Sequence, residues 1–166
     1  MIYLAYLLGA GVAVWLLMKI LNWLSYNLIK ERVLQQRKWD LNICCGRTDG
    51  GGINADVVKH ANLPNFHHIR DIYNLPYADK QFVHVLCSHT LEHVDDPERF
   101  YRELRRIGRH ITLILPPLWD LSAAFNLLEH KWLFWILRPT HRVLPKYTPL
   151  PLAAKVQRLL GQRMHA

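Results

Sequence analysis

Apolar and polar positions divide the chain into three regimes. Residues 2–18 are uncharged and strongly apolar, and counting on through Lys19 to Leu24 gives enough helix, at about 1.5 Å per residue, to cross a hydrocarbon core of about 30 Å. Between residues 41 and 117 the pattern breaks into short apolar runs separated by turn-forming residues. The runs 41–45, 53–58, 67–70, 82–88 and 111–115 read as five strands. Asp95, Asp96, Pro97 and Glu98 form a helix start, and Phe100, Leu104 and Ile107 then recur at helical spacing up to Gly108. This order predicts an open, mostly parallel α/β sheet of about five strands. The third regime, 118–137, sets Trp119, Phe125, Trp132, Phe134 and Trp135 among Asp120, Ser122, Asn126, Glu129, His130 and Lys131. It is too polar to span a membrane and predicts a helix, either lying at an interface, covering a substrate as a lid, or packed on the sheet. Residues 139–152 are proline-rich and extended, and 153–164 predict a short basic amphipathic helix.

The organisation that follows is a transmembrane anchor (1–29), a basic juxtamembrane linker (30–40) hinged at Trp39 and Asp40, an α/β domain (41–117), an aromatic helix (118–138) and a C-terminal segment (139–166). No basic stretch precedes the apolar run and no small-residue cleavage site follows it, so an uncleaved span is expected. Trp23 and Tyr26 sit where headgroups would lie, and Lys19 can snorkel.

Charge sharpens this picture. The chain is 51% apolar, 20% charged and carries a formal +8. Its cations cluster beside the apolar segments: Lys30, Arg32, Arg37 and Lys38, then Arg138, Arg142 and Lys146, then Lys155, Arg158 and Arg163. That placement suits anionic lipid headgroups better than nucleic acid, which is not an expected partner. By the positive-inside rule the protein is single-pass, with its N-terminus outside and the α/β domain cytoplasmic. Three cysteines with no C-x-x-C pair fit a reducing compartment and no disulfide or zinc framework.

Candidate chemistry gathers at the strand ends. The 41–45 run leads into a loop, 46–52, with four glycines, which lets backbone approach a ligand closely. Asp56 and Asp71 follow later strands, and carboxylates there can accept from a ribose diol and from a base amino group. His89-Thr90-Leu91-Glu92-His93 matches H-x-x-E-H, a spacing that can hold zinc. The strand leading into it and the lack of a third-ligand motif favour a nucleotide site, so no metal ligand is assigned.

Residues 41–117 resemble the class I S-adenosylmethionine-dependent methyltransferases, in particular the small type 11 methyltransferase-domain group. The resemblance rests on Leu41-Asn42-Ile43-Cys44-Cys45-Gly46, on Gly52-Ile53-Asn54-Ala55-Asp56, on Asp71, and on Asn74-Leu75-Pro76-Tyr77-Ala78-Asp79. The 82–88 strand and Ser88-His89-Thr90-Leu91-Glu92-His93-Val94 complete it, in family order. It implies a Rossmann-like, shortened methyltransferase fold and S-adenosylmethionine as cofactor. By the same resemblance Asn42, Cys45 and Gly46 border the methionine part, Asp56 the ribose, Asp71 the adenine and Ser88 the methyl group. His89 or His93 is the candidate base. Cys44 replaces a motif glycine, nine residues separate Gly46 from Asp56, His84 stands where the family has Asp, and nothing after residue 117 matches the family's last strands.

Two functional readings follow. The first is a membrane-anchored methyltransferase acting on a lipid-like or membrane-bound acceptor. The second is a catalytically degenerate relative serving as an accessory subunit of a larger membrane complex.

Overall fold

The computed structural model describes residues 2–163. The chain opens with α1 (Ile2–Trp23), runs without a break through a π-helical turn (Leu24–Ile29) and ends the rod with α2 (Lys30–Leu34). Among the described residues nothing covers most of α1: Leu7 is 71% exposed and Trp15 57%. One helix among the described residues, Tyr6–Leu34, is long and apolar enough to cross a membrane, and none of its most apolar window is buried. The π-turn widens the helix and re-aims its side chains. Ser25 is thereby buried, and Val33 and Leu34 face the domain.

The linker is not a free hinge. Trp39 is buried, and its indole N–H donates to the carbonyl of Leu34, satisfying one of the orphan acceptors at the helix end. Asp40 Oδ2 accepts from the backbone N–H groups of Val83 (2.8 Å) and His84 (2.9 Å). Two consecutive residues thus fix the angle between rod and sheet.

The sheet comprises β1 (Leu41–Ile43), β2 (Ile53–Asp56), β3 (Phe66–His68), β4 (Phe82–Ser88), β5 (Gly108–Ile114) and β7 (Thr140–His141), in the spatial order β3-β2-β1-β4-β5-β7. The first five are parallel, with Ile43 opposite Ala55 on one side and Cys87 on the other. β7 is antiparallel to β5, with Leu113 opposite His141. A strand after residue 117 does therefore join the sheet, contrary to the sequence reading. It is only two residues long, too short to leave a periodic signal.

Pleat alternation divides β4 and β5 between two unequal faces. Val85, Cys87, Ile111 and Leu113 join Leu41 and Ile43 under α3 (Pro97–Ile107), whose Phe100, Leu104 and Ile107 are fully buried there. Leu86 and Ile114 point the other way and meet Val33, Leu34 and Trp39, so the rod's end does the work of a covering helix. Asp96 caps α3 by accepting from the Arg99 N–H at 2.9 Å, with Pro97 in its first turn. Arg106 of α3 clamps the 75–79 turn through Leu75 O, Tyr77 O and Asp79, while Glu103 accepts from the Leu75 N–H at 2.7 Å. β5 starts at Gly108, so residues 108–110 are strand and not a turn.

The 118–138 region differs most from expectation. The long helix is replaced by one turn, α4 (Leu121–Ala124), and a strand, β6 (Trp132–Phe134), paired antiparallel with β8 (Tyr147–Pro149). Asp120 caps α4 by accepting from the Ala123 N–H, and its carboxylate also accepts from Asn22 Nδ2 at 3.2 Å. Trp132 donates its indole N–H to Val94 O and packs edge-on against Tyr147. Cross-strand aromatic pairing outweighs a helical pattern that was never strict. α5 (Ala153–Leu160) closes the described chain, and Met164 to Ala166 of the expected helix lie outside the described residues.

Candidate functional site

The carboxyl ends of β1, β2 and β4 converge, which is where an open parallel sheet places a ligand. A cavity of about 900 Å³ occupies that position. One wall is the loop after β1, Cys44 to Thr48, together with Asp56, Val57 and Val58 after β2 and Ser88, His89, Thr90 and His93 after β4. The opposite wall is the rod: Trp23, Tyr26, Asn27, Leu28, Lys30, Glu31 and Leu34. Ile72 and Tyr73 add an apolar side. Sequence reasoning missed the rod's contribution, because an apolar helix read as an anchor gives no sign of which face touches the domain.

Asp56, 6% exposed, organises the loop. Its Oδ2 accepts from the Gly46 N–H at 2.8 Å, and Oδ1 accepts from Val57 (2.7 Å) and Val58 (3.4 Å). Gly46 sits at φ 56°, in the left-handed region that suits glycine. Cys44, in place of a glycine, also has φ 51°, a conformation costing a non-glycine residue about 1–2 kcal/mol. That strain falls on the residue that turns the chain from β1 into the cavity.

The other glycines serve the fold. A Cβ on Gly52 would lie 2.2 Å from Trp39 O and 2.7 Å from Asp40 O, and one on Gly50 would lie 2.6 Å from Asn42 Cβ. These glycines allow the loop to pack on the linker, with Ile53 N–H donating to Asp40 O and Trp39 N–H to Gly50 O. Of the four, only Gly46 borders the cavity. Asn42 lies behind it, its amide donating to Thr48 O at 2.8 Å. Asp71 is exposed and outside the cavity lining, with its Oδ1 accepting from the Tyr73 N–H at 2.8 Å. Cys45, Gly46, Asp56, Ser88, His89 and His93 all border the cavity.

Burial pushes the Cys45 thiol up to about 12, with the Asp56 carboxylate adding to the effect, so it is no nucleophile at neutral pH. His89 stands at φ 51° with its ring 4.8 Å from Tyr26 and Nδ1 3.5 Å from Glu92 Oε1. Its Nε2 is buried with no hydrogen-bond partner among the described residues. Glu92 is fully buried. Burial alone would raise its carboxyl, yet the facing His89 and the nearby His93 and His130 bring it down to about 2. Burial lowers the His130 imidazole to about 4, against the opposing pull of the Glu92 carboxylate.

Residues 50–111 match the family model of the methyltransferase domain. No curated protein sequence matches the chain. Among solved structures, the chain is similar to a SAM-dependent methyltransferase from Aquifex aeolicus (14% identity, TM-score 0.43), covering 56% of this chain and 66% of that one. It is also similar to the YcgJ protein from Bacillus subtilis (18%, 0.44; 61% and 57%) and to the PH0226 protein from Pyrococcus horikoshii (17%, 0.46; 81% and 79%). The chain thus spans less than two thirds of the first two. Residues 50–111 are thus similar to the methyltransferase domain, and the mostly parallel sheet is methyltransferase-like, a likeness that implies S-adenosylmethionine as cofactor.

The residues present fit that group. Ser88 Oγ is buried at the cavity wall without a partner among the described residues, and Gly46 presents backbone at the turn. Asp56 spends three acceptor positions on backbone N–H groups and keeps about one of the four a carboxylate offers. Cys45, Gly46, Asp56 and Ser88 would hold the cofactor, whose sulfonium supplies a methyl group for in-line transfer.

Proposed function

We propose that this protein is a membrane-anchored, S-adenosylmethionine-dependent methyltransferase whose acceptor is lipid-like or membrane-bound. One observation carries the reading: the helix apolar enough to cross a membrane is also a wall of the cavity that the methyltransferase motifs form. An acceptor could then reach the site along the rod without leaving the bilayer's edge. The cations at Lys30, Arg32, Arg37 and Lys38 favour a cytoplasmic domain and an outside N-terminus, with anionic lipid as a partner. His89 is the general base, its buried and unpartnered Nε2 standing at the cavity wall. Positioning supplies the remaining catalysis, since methyl transfer needs little beyond alignment of nucleophile and methyl.

Calorimetric titration of S-adenosylmethionine and S-adenosylhomocysteine into the detergent-solubilised full chain tests this. Micromolar binding of both is expected. With labelled cofactor and a lipid extract in vesicles, transfer is expected for the natural chain and a loss of at least a hundredfold for His89→Asn, at unchanged cofactor affinity. No binding at millimolar ligand by a folded chain would overturn the enzyme reading. It would favour the accessory-subunit reading, to which Cys44 at the strained turn and Asp71 outside the cavity lend weight.

A further inference from the structure

Behind the cavity wall, the turn after β4 holds a second set of groups that methyl transfer does not use. Glu92 is 0% exposed, and neither carboxylate oxygen has a hydrogen-bond partner among the described residues. His89 Nδ1 at 3.5 Å and His93 Nε2 at 4.0 Å both lie beyond hydrogen-bond length. His130, 5% exposed, reaches the same place from the loop before β6, and its ring meets that of His93 edge-on with centroids 4.7 Å apart. Its Nδ1 is also buried without a partner among the described residues. One donor atom from each of Glu92, His93 and His130 lies within 4.8 Å of the others.

The chemistry of this set asks for a cation. A buried carboxylate without donors is strongly disfavoured. His93 Nδ1 donates to Glu129 O at 3.1 Å, so in the neutral ring the lone pair lies on Nε2, which faces Glu92. A lone pair opposed to a carboxylate repels it unless a proton or a metal ion sits between them. We propose that Glu92, His93 and His130 bind a divalent transition-metal ion of the zinc class. Two imidazoles and one carboxylate are a donor set such ions take, with coordination positions left over. Bonds of ~2.0–2.2 Å would draw the three side chains in by about an ångström.

The surrounding hydrogen bonds are those of a supported ligand set. Glu129 O, which fixes the His93 tautomer, also accepts from Gln162 Nε2 at 2.8 Å. Gln157 of α5 donates to His130 O at 2.8 Å, and the Lys131 N–H donates to Glu92 O at 2.7 Å. The C-terminal residues therefore tie the loop carrying His130 to the turn carrying Glu92. His93 borders the cavity and His130 does not, which places the ion in the wall between cavity and small sheet.

The test uses the full chain in detergent, stripped with chelator and titrated with Co²⁺ alone. Visible d–d absorption saturating at one equivalent and displaced by Zn²⁺ is expected. His130→Ala should weaken uptake by about a hundredfold or more, while calorimetric affinity for S-adenosylmethionine stays the same. Absent bands, or bands unaltered in both His130→Ala and Glu92→Gln, would overturn the proposal. If His130→Ala does not fold, melting of the natural chain decides: a Tm that climbs with Zn²⁺ concentration supports the site, and an unmoved Tm refutes it. Because the cofactor titration is read separately on stripped protein, failure of the metal site and failure of the methyltransferase reading are distinguishable.

Discussion

Replacing Asp56 by Asn isolates the charge that closes the loop after β1. The carboxylate receives three backbone N–H groups, from Gly46, Val57 and Val58. An asparagine has one oxygen, and its best orientation keeps that oxygen on Val57 and Val58. The amide NH₂ then opposes the Gly46 N–H, which the native structure holds at 2.8 Å from oxygen. One charge-assisted hydrogen bond is lost, at about 1.5–3 kcal/mol, and a mostly buried donor is left unpaired. The two describe one change, and its cost, about 2–3 kcal/mol, should shift the urea midpoint by about 1 M at an ordinary slope of about 2–3 kcal/mol/M. Because Gly46 frames the cavity, cofactor affinity should also fall at least tenfold, about 1.4 kcal/mol. Urea unfolding followed by tryptophan fluorescence, plus calorimetric titration of S-adenosylmethionine, reads both. Asp71→Asn is the control: Asn accepts from the Tyr73 N–H as well as Asp does, so the change should stay within about 0.5 kcal/mol. An unchanged midpoint for Asp56→Asn, or equal losses in the two variants, would refute the assignment of Asp56 as the loop's keystone.

Two further predictions concern the frame around the site. Gly52→Ala puts a Cβ 2.2 Å from Trp39 O, so the linker and loop must part and the Ile53 to Asp40 hydrogen bond with them; about 2–4 kcal/mol of stability should be lost in the same urea assay, whereas Gly9→Ala, with nothing within 4 Å, should lose none. Glu103 is held below its usual 4.5, first by its hydrogen bonds with Arg106, against burial, and then by the Leu75 N–H. A lowered carboxyl contributes stability that is complete above about 4.5 and fades as pH falls through the lowered value, so urea midpoints of the natural chain should drop with acid in that window, and Glu103→Gln should flatten that part of the curve.

Much of the architecture was legible in local pattern. Apolar runs bounded by glycine, proline and acidic residues located the five parallel strands within a few residues. Asp96 and Pro97 marked the start of α3 because capping is a property of adjacent residues. The motif order pointed to the methyltransferase fold for the same reason: strand, turn and strand-end carboxylate are close in sequence. The apolar rod, too, declared its length and exposure from composition alone.

What the sequence alone determined was therefore the set of elements and the chemistry available at their ends. Which side chains meet was decided by tertiary structure. His130 joins Glu92 and His93 only because the backbone at Lys131 and Trp132 hydrogen-bonds to Glu92 O in the turn after β4, a contact that no short-range spacing encodes. The aromatic stretch 118–138 became a helical turn and a strand because Trp132 found a carbonyl partner in Val94 and a cross-strand partner in Tyr147, both outside its own segment. Gly50 and Gly52 are required by backbone brought against them by the linker, and the rod lines the cavity because the π-turn and the buried Trp39 set its angle. Local physics fixes each strand and helix; burial and hydrogen-bond satisfaction, which are properties of the assembled chain, choose their neighbours.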